Sequence, residues 1–194
     1  MDLKEYILPK NSMMGGWYIP LLICDELITI FKNNKRLQKV GEIGAVGRPS
    51  PKVDLKVKEC LELSIEPSCN DPSFIQYLNH LKNVLSLYTQ KYPEIRNLDK
   101  FGLTECPNIQ YYKPGQGFKV WHFERCLQSN RCLVFMTFLN DVPKGGTHFK
   151  YQDLTVPAKK GLTLMWPPDF THTHKGQISK KHEKYILTGW LGYV

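Results

Sequence analysis

Several things are missing from this chain of 194 residues, and each absence narrows the field. No apolar stretch is long enough to cross a bilayer: the most apolar early segment, 18–31, is interrupted by Asp25 and Glu26. The start, Met1 to Glu5, does not lead from a basic segment into an apolar one, so no secretory leader is expected. The expectation is a soluble cytoplasmic protein with no membrane partner. The six cysteines (24, 60, 69, 106, 126 and 132) contain no C-x-x-C pair and no tight cluster. They read as reduced thiols, not as a disulfide framework. Cys126 and Cys132 stand near His122, but their spacing fits no zinc module. A continuous basic track interleaved with aromatics is also lacking. The net charge is +8, yet its lysines and arginines, at 32–39, 52–58, 159–160 and 180–184, are scattered among acids and inward-facing apolar residues. A nucleic-acid partner is therefore not favoured, while an acidic substrate stays open.

What is present is ordinary in bulk. Hydrophobic residues make up 42% and charged residues 23%, the balance of a globular chain that can bury a core without metal or disulfide support. One domain over 1–194 is expected, with a helical support and loop region at 1–100 and a β-rich core at 101–194.

The first helix can start at Pro20, and Ile23, Leu27, Ile30 and Phe31 then form one apolar stripe that Asn33-Asn34 ends. The stretch 37–61, with Gly41, Gly44, Gly47, Pro49 and Pro51, reads as loop with short strand-like pieces, either a cover over a substrate entrance or a plain connector. A second helix has Asp71 as N-cap, Pro72 at its first position, a stripe of Phe74, Leu78, Leu81, Leu85 and Tyr88, and Pro93 as its stop. Both helices read as a buttress whose apolar faces need a sheet. After Pro107 the pattern changes to short β-rich runs: 108–112, 118–124, 131–139, 147–151, 155–156, 162–166 and 185–191. The run 131–139 is nearly all apolar, as a strand buried on both faces would be. Helices followed by closely spaced strands predict a mainly β protein of the α+β type, a sandwich, barrel or jelly roll with helices on one face.

Chemistry concentrates in Trp121-His122-Phe123-Glu124. If this is a strand, His122 and Glu124 share a face, because side chains alternate with period two. An imidazole and a carboxylate side by side are two of the three protein ligands of a mononuclear ferrous site. His172 and His174, about fifty residues later, offer a third, and the residues alone do not choose between them.

The wider pattern resembles a known family. Tyr112-Lys113-Pro114-Gly115, the H-x-acid pair, the buried strand ending in Leu139-Asn140-Asp141-Val142, the turn Gly145-Gly146-Thr147, then Leu164-Met165-Trp166-Pro167, Thr171 to Gly176 and Lys184 to Trp190 occur in the order and spacing of the iron(II)- and 2-oxoglutarate-dependent dioxygenases, in particular their prolyl 4-hydroxylase-like group. The resemblance implies a double-stranded β-helix (jelly roll) core. It also implies Fe(II), the cosubstrates 2-oxoglutarate and O2, and ascorbate as a reductant. In that family a lysine or arginine lies about ten residues after the distal histidine and pairs with the far carboxylate of 2-oxoglutarate. Lys184 is ten residues after His174, which selects His174. The implied ligands are His122, Glu124 and His174. The implied 2-oxoglutarate contacts are Lys184 and Tyr112, with Thr137 or Thr147 adding a hydroxyl. Glu124 departs from the family's usual aspartate by one methylene. The expected reaction is hydroxylation of a peptidyl prolyl residue. The same chemistry on a free amino acid or nucleic acid is the alternative, as is a cupin-like metal-binding module, against which a cation placed for a dicarboxylate argues.

Overall fold

The computed structural model describes residues 3–44, 52–125 and 129–194, so Gly47, Pro49, Pro51 and Cys126 lie outside the described residues. Helix α1 spans Leu21–Asn33, one residue later than Pro20, and ends where the backbone N–H of Asn34 turns back to the Ile30 and Phe31 carbonyls. Helix α2 spans Pro72–Lys91. The Asp71 carboxylate accepts from the N–H groups of Ser73 and Phe74, satisfying two of the donors that a helix start leaves free. Its buried stripe is Phe74, Tyr77, Leu81, Val84 and Tyr88; Leu78 and Leu85 sit at the margin.

Eleven strands follow in chain order among the described residues: β1 (Gly15–Tyr18), β2 (Lys39–Val40), β3 (Leu61–Ser64), β4 (Phe101–Leu103), β5 (Asn108–Tyr112), β6 (Arg131–Phe138), β7 (Val142–Phe149), β8 (Leu154–Ala158), β9 (Leu162–Trp166), β10 (His174–Gly176) and β11 (Lys184–Tyr193). A large antiparallel sheet runs β1-β9-β6-β11-β5-β3-β2, with β4 also paired to β11; a small one runs β10-β7-β8. The sheets face each other as a jelly roll without closing into a barrel.

Period-two alternation divides the large sheet between two cores. On β6, Leu133 and Phe135 join the helices' Leu27, Phe74 and Tyr77 in one cluster, while Val134, Met136 and Phe138 join Phe149, Val156 and Trp166 between the sheets. That is why this strand reads as an unbroken apolar run. On β11, Tyr185, Leu187 and Leu191 go to the helices, which leaves Lys184, Ile186, Thr188 and Trp190 for the interior of the jelly roll.

One local reading needs correction. Residues 118–124 are not a strand. They contain only isolated bridges, Lys58 with Phe118 and His122 with His174, because the backbone of Glu124 and Arg125 turns to the Pro168 carbonyl instead. Before the first helix, Gly15 to Tyr18 form β1 against β9. No helix of the described residues is long and apolar enough to cross a membrane.

The cap of α2 gives a test of this architecture. Asp71→Ala is expected to lower the free energy of unfolding by about 1 kcal/mol, read from the denaturant midpoint. Asp71→Asn keeps the acceptor and should lose much less.

Candidate active site

His122 stands in a loop and His174 on β10, and two backbone hydrogen bonds tie them together: His122 N–H to the His174 carbonyl at 2.9 Å and the reverse at 2.8 Å. This single rung makes the two rings neighbours, with centroids 4.3 Å apart. Each ring's Nδ1 lies against a carbonyl oxygen, that of Val120 for His122 (3.1 Å) and that of His172 for His174 (2.8 Å). The proton therefore belongs on Nδ1, and the Nε2 lone pair is left for a ligand. Both Nε2 atoms point to Glu124 Oε1, at 3.6 Å and 3.4 Å. The three donor atoms lie within 4.8 Å of one another, a cluster of two neutral nitrogens and one carboxylate oxygen that suits a divalent first-row metal.

The glutamate's other oxygen is already engaged. Oε2 accepts from Trp190 Nε1 at 3.1 Å and lies 3.5 Å from Arg131 Nη1, which also donates to the Glu124 carbonyl at 2.8 Å. Arg131 is itself fixed by the Glu105 carboxylate, at 2.6 and 2.7 Å, and stacks over the Trp190 ring at 3.7 Å. The longer side chain of Glu124 is thus anchored so that Oε1 alone faces the imidazoles. Burial would raise its pKa, but the adjoining His122 and His174 imidazoles outweigh this and hold it well below the usual carboxylate range. Burial, and next the neighbouring His174, push the His122 pKa down. Phe118 stacks flat on His122 at 3.5 Å and so fixes its plane.

A cleft of about 610 Å³ opens in front of this cluster. Lys184 lies in its wall, 6% exposed, with Nζ donating to the carbonyls of Gly145 (3.1 Å) and Gln177 (3.4 Å) and standing 4.9 Å over the Tyr112 ring. Among the described residues it forms no ion pair, and burial pulls its pKa down to about 8. Tyr112 also lines the cleft, but its hydroxyl donates to Gln110 Oε1 at 2.5 Å, whose amide donates to Glu62. Thr147 lines the cleft as well.

Thr137 does not reach it. It shares the helix-facing side of β6 with Leu133 and Phe135, and its hydroxyl sits 3.1 Å from Tyr77 Oη and 2.9 Å from Thr163 Oγ1. His172 turns away too. It ends a single 3-10 turn, Phe170–His172, and its Nε2 lies 2.9 Å from the Ser12 carbonyl. His148 contacts Thr155 Oγ1 at 2.7 Å, outside the cleft. Sequence reasoning missed Arg131, Glu105, Phe118, Glu62 and Gln110. It gave Trp190 no role beyond ending the run Lys184 to Trp190, although Trp190 shares the parity of Lys184 on one strand.

Known proteins bear on this arrangement. Residues 107–192 match the family model described as the 2OG-Fe(II) oxygenase superfamily. No curated protein matches the sequence. Among solved structures, the viral collagen prolyl hydroxylase of Paramecium bursaria Chlorella virus-1, in complex with 2-oxoglutarate, is similar at a TM-score of 0.69 and 18% identity, over 94% of this chain and 97% of that one. A Pseudomonas putida prolyl-4-hydroxylase gives 0.67 and 15%, over 93% and 92%. A Trichoplax adhaerens prolyl hydroxylase, in complex with a peptide of the hypoxia inducible factor oxygen degradation domain, gives 0.67 and 12%, over 88% and 76%. At these identities the likeness establishes the fold.

The geometry makes two outcomes measurable by titrating the purified protein with cobalt(II) or manganese(II). His174→Ala should abolish binding, whereas His172→Ala should leave the affinity within a few-fold. Trp190→Phe, which removes the hydrogen bond to Glu124 Oε2, should weaken it by about 10- to 100-fold.

Proposed function

On the premise that residues 107–192 form a 2OG-Fe(II) oxygenase domain, we propose that the chain hydroxylates a carbon of a peptidyl prolyl residue, with Fe(II) held by His122, Glu124 and His174. When bound, iron with 2-oxoglutarate and O2 supplies the oxidative chemistry: the keto acid is decarboxylated to succinate and carbon dioxide, and one oxygen atom enters a substrate C–H bond. The residues of the chain bind, orient and exclude. The Nδ1 contacts and the Trp190–Arg131 anchor hold three ligand atoms to one side, leaving the side toward the cleft for cosubstrate and substrate. Lys184 supplies the charge for the far carboxylate.

The observation that carries this reading is the pairing of that metal-ligand cluster with a buried ammonium that, among the described residues, donates only to carbonyls and has no carboxylate partner. A buried cation without a counter-ion is costly, and a dicarboxylate spanning from the metal to Lys184 would neutralise it. Tyr112 lies beside this ammonium and Thr147 lines the same wall, so both are proposed contacts of the cosubstrate. With its hydroxyl hydrogen bonded to Gln110, Tyr112 would act first by steadying the Lys184 ammonium over its ring face. Thr137, bonded on the helix side, is left out of this set.

A neutral substrate fits the rest of the cleft. Its other basic groups are paired: Lys58 with Glu62, Arg125 with Asp169, and Arg131 with Glu105 and Glu124. Trp121 and Phe123, 41% and 46% exposed, also border the cleft. Aromatic faces receive proline rings well. The similarity to three prolyl hydroxylases, one solved with a peptide, supports a peptide over a free amino acid or nucleic acid.

Incubation with Fe(II), ascorbate, 2-oxoglutarate and proline-rich peptides should yield succinate and peptides heavier by one oxygen atom. Absence of both 2-oxoglutarate binding and succinate rejects the oxygenase reading; succinate without peptide oxidation rejects the prolyl substrate. Lys184→Ala should raise the 2-oxoglutarate requirement about a hundredfold. In the intact protein the free lysine loses its proton as pH rises through about 8, so 2-oxoglutarate affinity should fall above that pH, and calorimetric titration from pH 7 to pH 9 checks it.

A further inference from the structure

Trp121 borders two hollows. One is the cleft just described. The other, about 350 Å³, lies beyond it on the small sheet and is bordered by His148, Lys150, Asp153, Thr155 and Lys175. Strand register explains its make-up. Lys175 pairs with His148 and His148 with Thr155, so these three share the face of the sheet opposite to His174 and Thr147. Lys175 Nζ stands 4.5 Å over the Trp121 ring, and Lys150 Nζ lies 5.4 Å from the Tyr151 ring. Neither ammonium has an ion-pair partner among the described residues, and Asp153 is the one acid on the rim. Cation–π contact leaves ammonium hydrogen atoms free to donate.

We infer that this second hollow is a subsite for an acidic side chain of the peptide substrate, flanking the residue that enters the cleft across Trp121. The inference rests on the peptide reading above and adds a substrate preference to it. Two arguments select this occupant. The hollow and the cleft share one exposed indole, Trp121, and two lysines against one aspartate leave the hollow with a positive balance. A neutral flank would gain nothing from the lysines, and a basic one would be repelled.

The test measures binding of fluorescein-labelled peptides by anisotropy. Each peptide contains one proline and a single aspartate moved stepwise along either flank, with asparagine at the same place as its control. At one spacing the aspartate peptide should bind about fivefold tighter than its asparagine twin, and 0.5 M salt should remove the gain. In K150Q/K175Q the ratio should fall to about one, and in K150E/K175E it should invert in favour of lysine-flanked peptides. A ratio of one at every spacing in the unaltered protein overturns the subsite, as does a preference that survives charge reversal. If the asparagine peptides are still hydroxylated in that case, the prolyl reading stands and only the subsite falls. If no peptide binds, both fall.

Discussion

Two backbone hydrogen bonds between His122 and His174 hold the candidate site in one piece. His122 and Glu124 come from an irregular segment that belongs to neither sheet, and His174 comes from the edge of the small sheet. Without that rung the loop would have no register against β10, and the two imidazoles would have no reason to converge. With it, the remaining arrangement follows from short-range chemistry: carbonyls fix the Nδ1 protons, Nε2 lone pairs turn to a common point, and Glu124 Oε1 occupies the space between them. The large sheet supplies the opposite wall and, through β11, both the buried ammonium and the indole that anchors Glu124.

Which parts of this were legible depended on whether local rules had competitors. Asp71-Pro72 opens a helix in almost any surroundings, and 162–166 is a strand by composition and bounds alike. The apolar run at 131–139 announced burial on both faces but could not say which parity faced the cleft, and so Thr137 stood level with Thr147. The structure assigns Thr137 to the helix side, where Tyr77 and Thr163 complete its hydrogen bonds. The residues alone could not choose between His172 and His174, because an extended chain would aim both the same way. One 3-10 turn breaks the extended run and sends His172 to Ser12. Only the distance to Lys184, a feature of the resembled family, picked His174. β1 was invisible because half of it is glycine, which has no strand preference of its own. Arg131 looked like an ordinary polar strand end; its value lies in Glu105 and Glu124, distant partners that no local pattern reveals.

The glutamate in place of aspartate illustrates how a small chemical change is absorbed. An extra methylene adds a rotatable bond and would let the carboxylate wander. Here one oxygen is engaged by an indole and a guanidinium, which are stacked on each other and backed by a second carboxylate. The position of Oε1 is therefore set by a network and not by the side chain's own stiffness.

The buried ammonium of Lys184 has a further consequence, in the stability of the protein at rest. An unfolded lysine keeps its proton up to about pH 10.4, while burial brings this one to about 8. Between these values the unfolded chain binds more protons, so stability rises with pH there, and below pH 8 the folded state carries the full penalty, on the order of 3 kcal/mol. The ligand-free fold is therefore under tension at neutral pH. An anion settling beside Lys184 would offset this penalty, so filling the cleft would stabilise the fold as a whole.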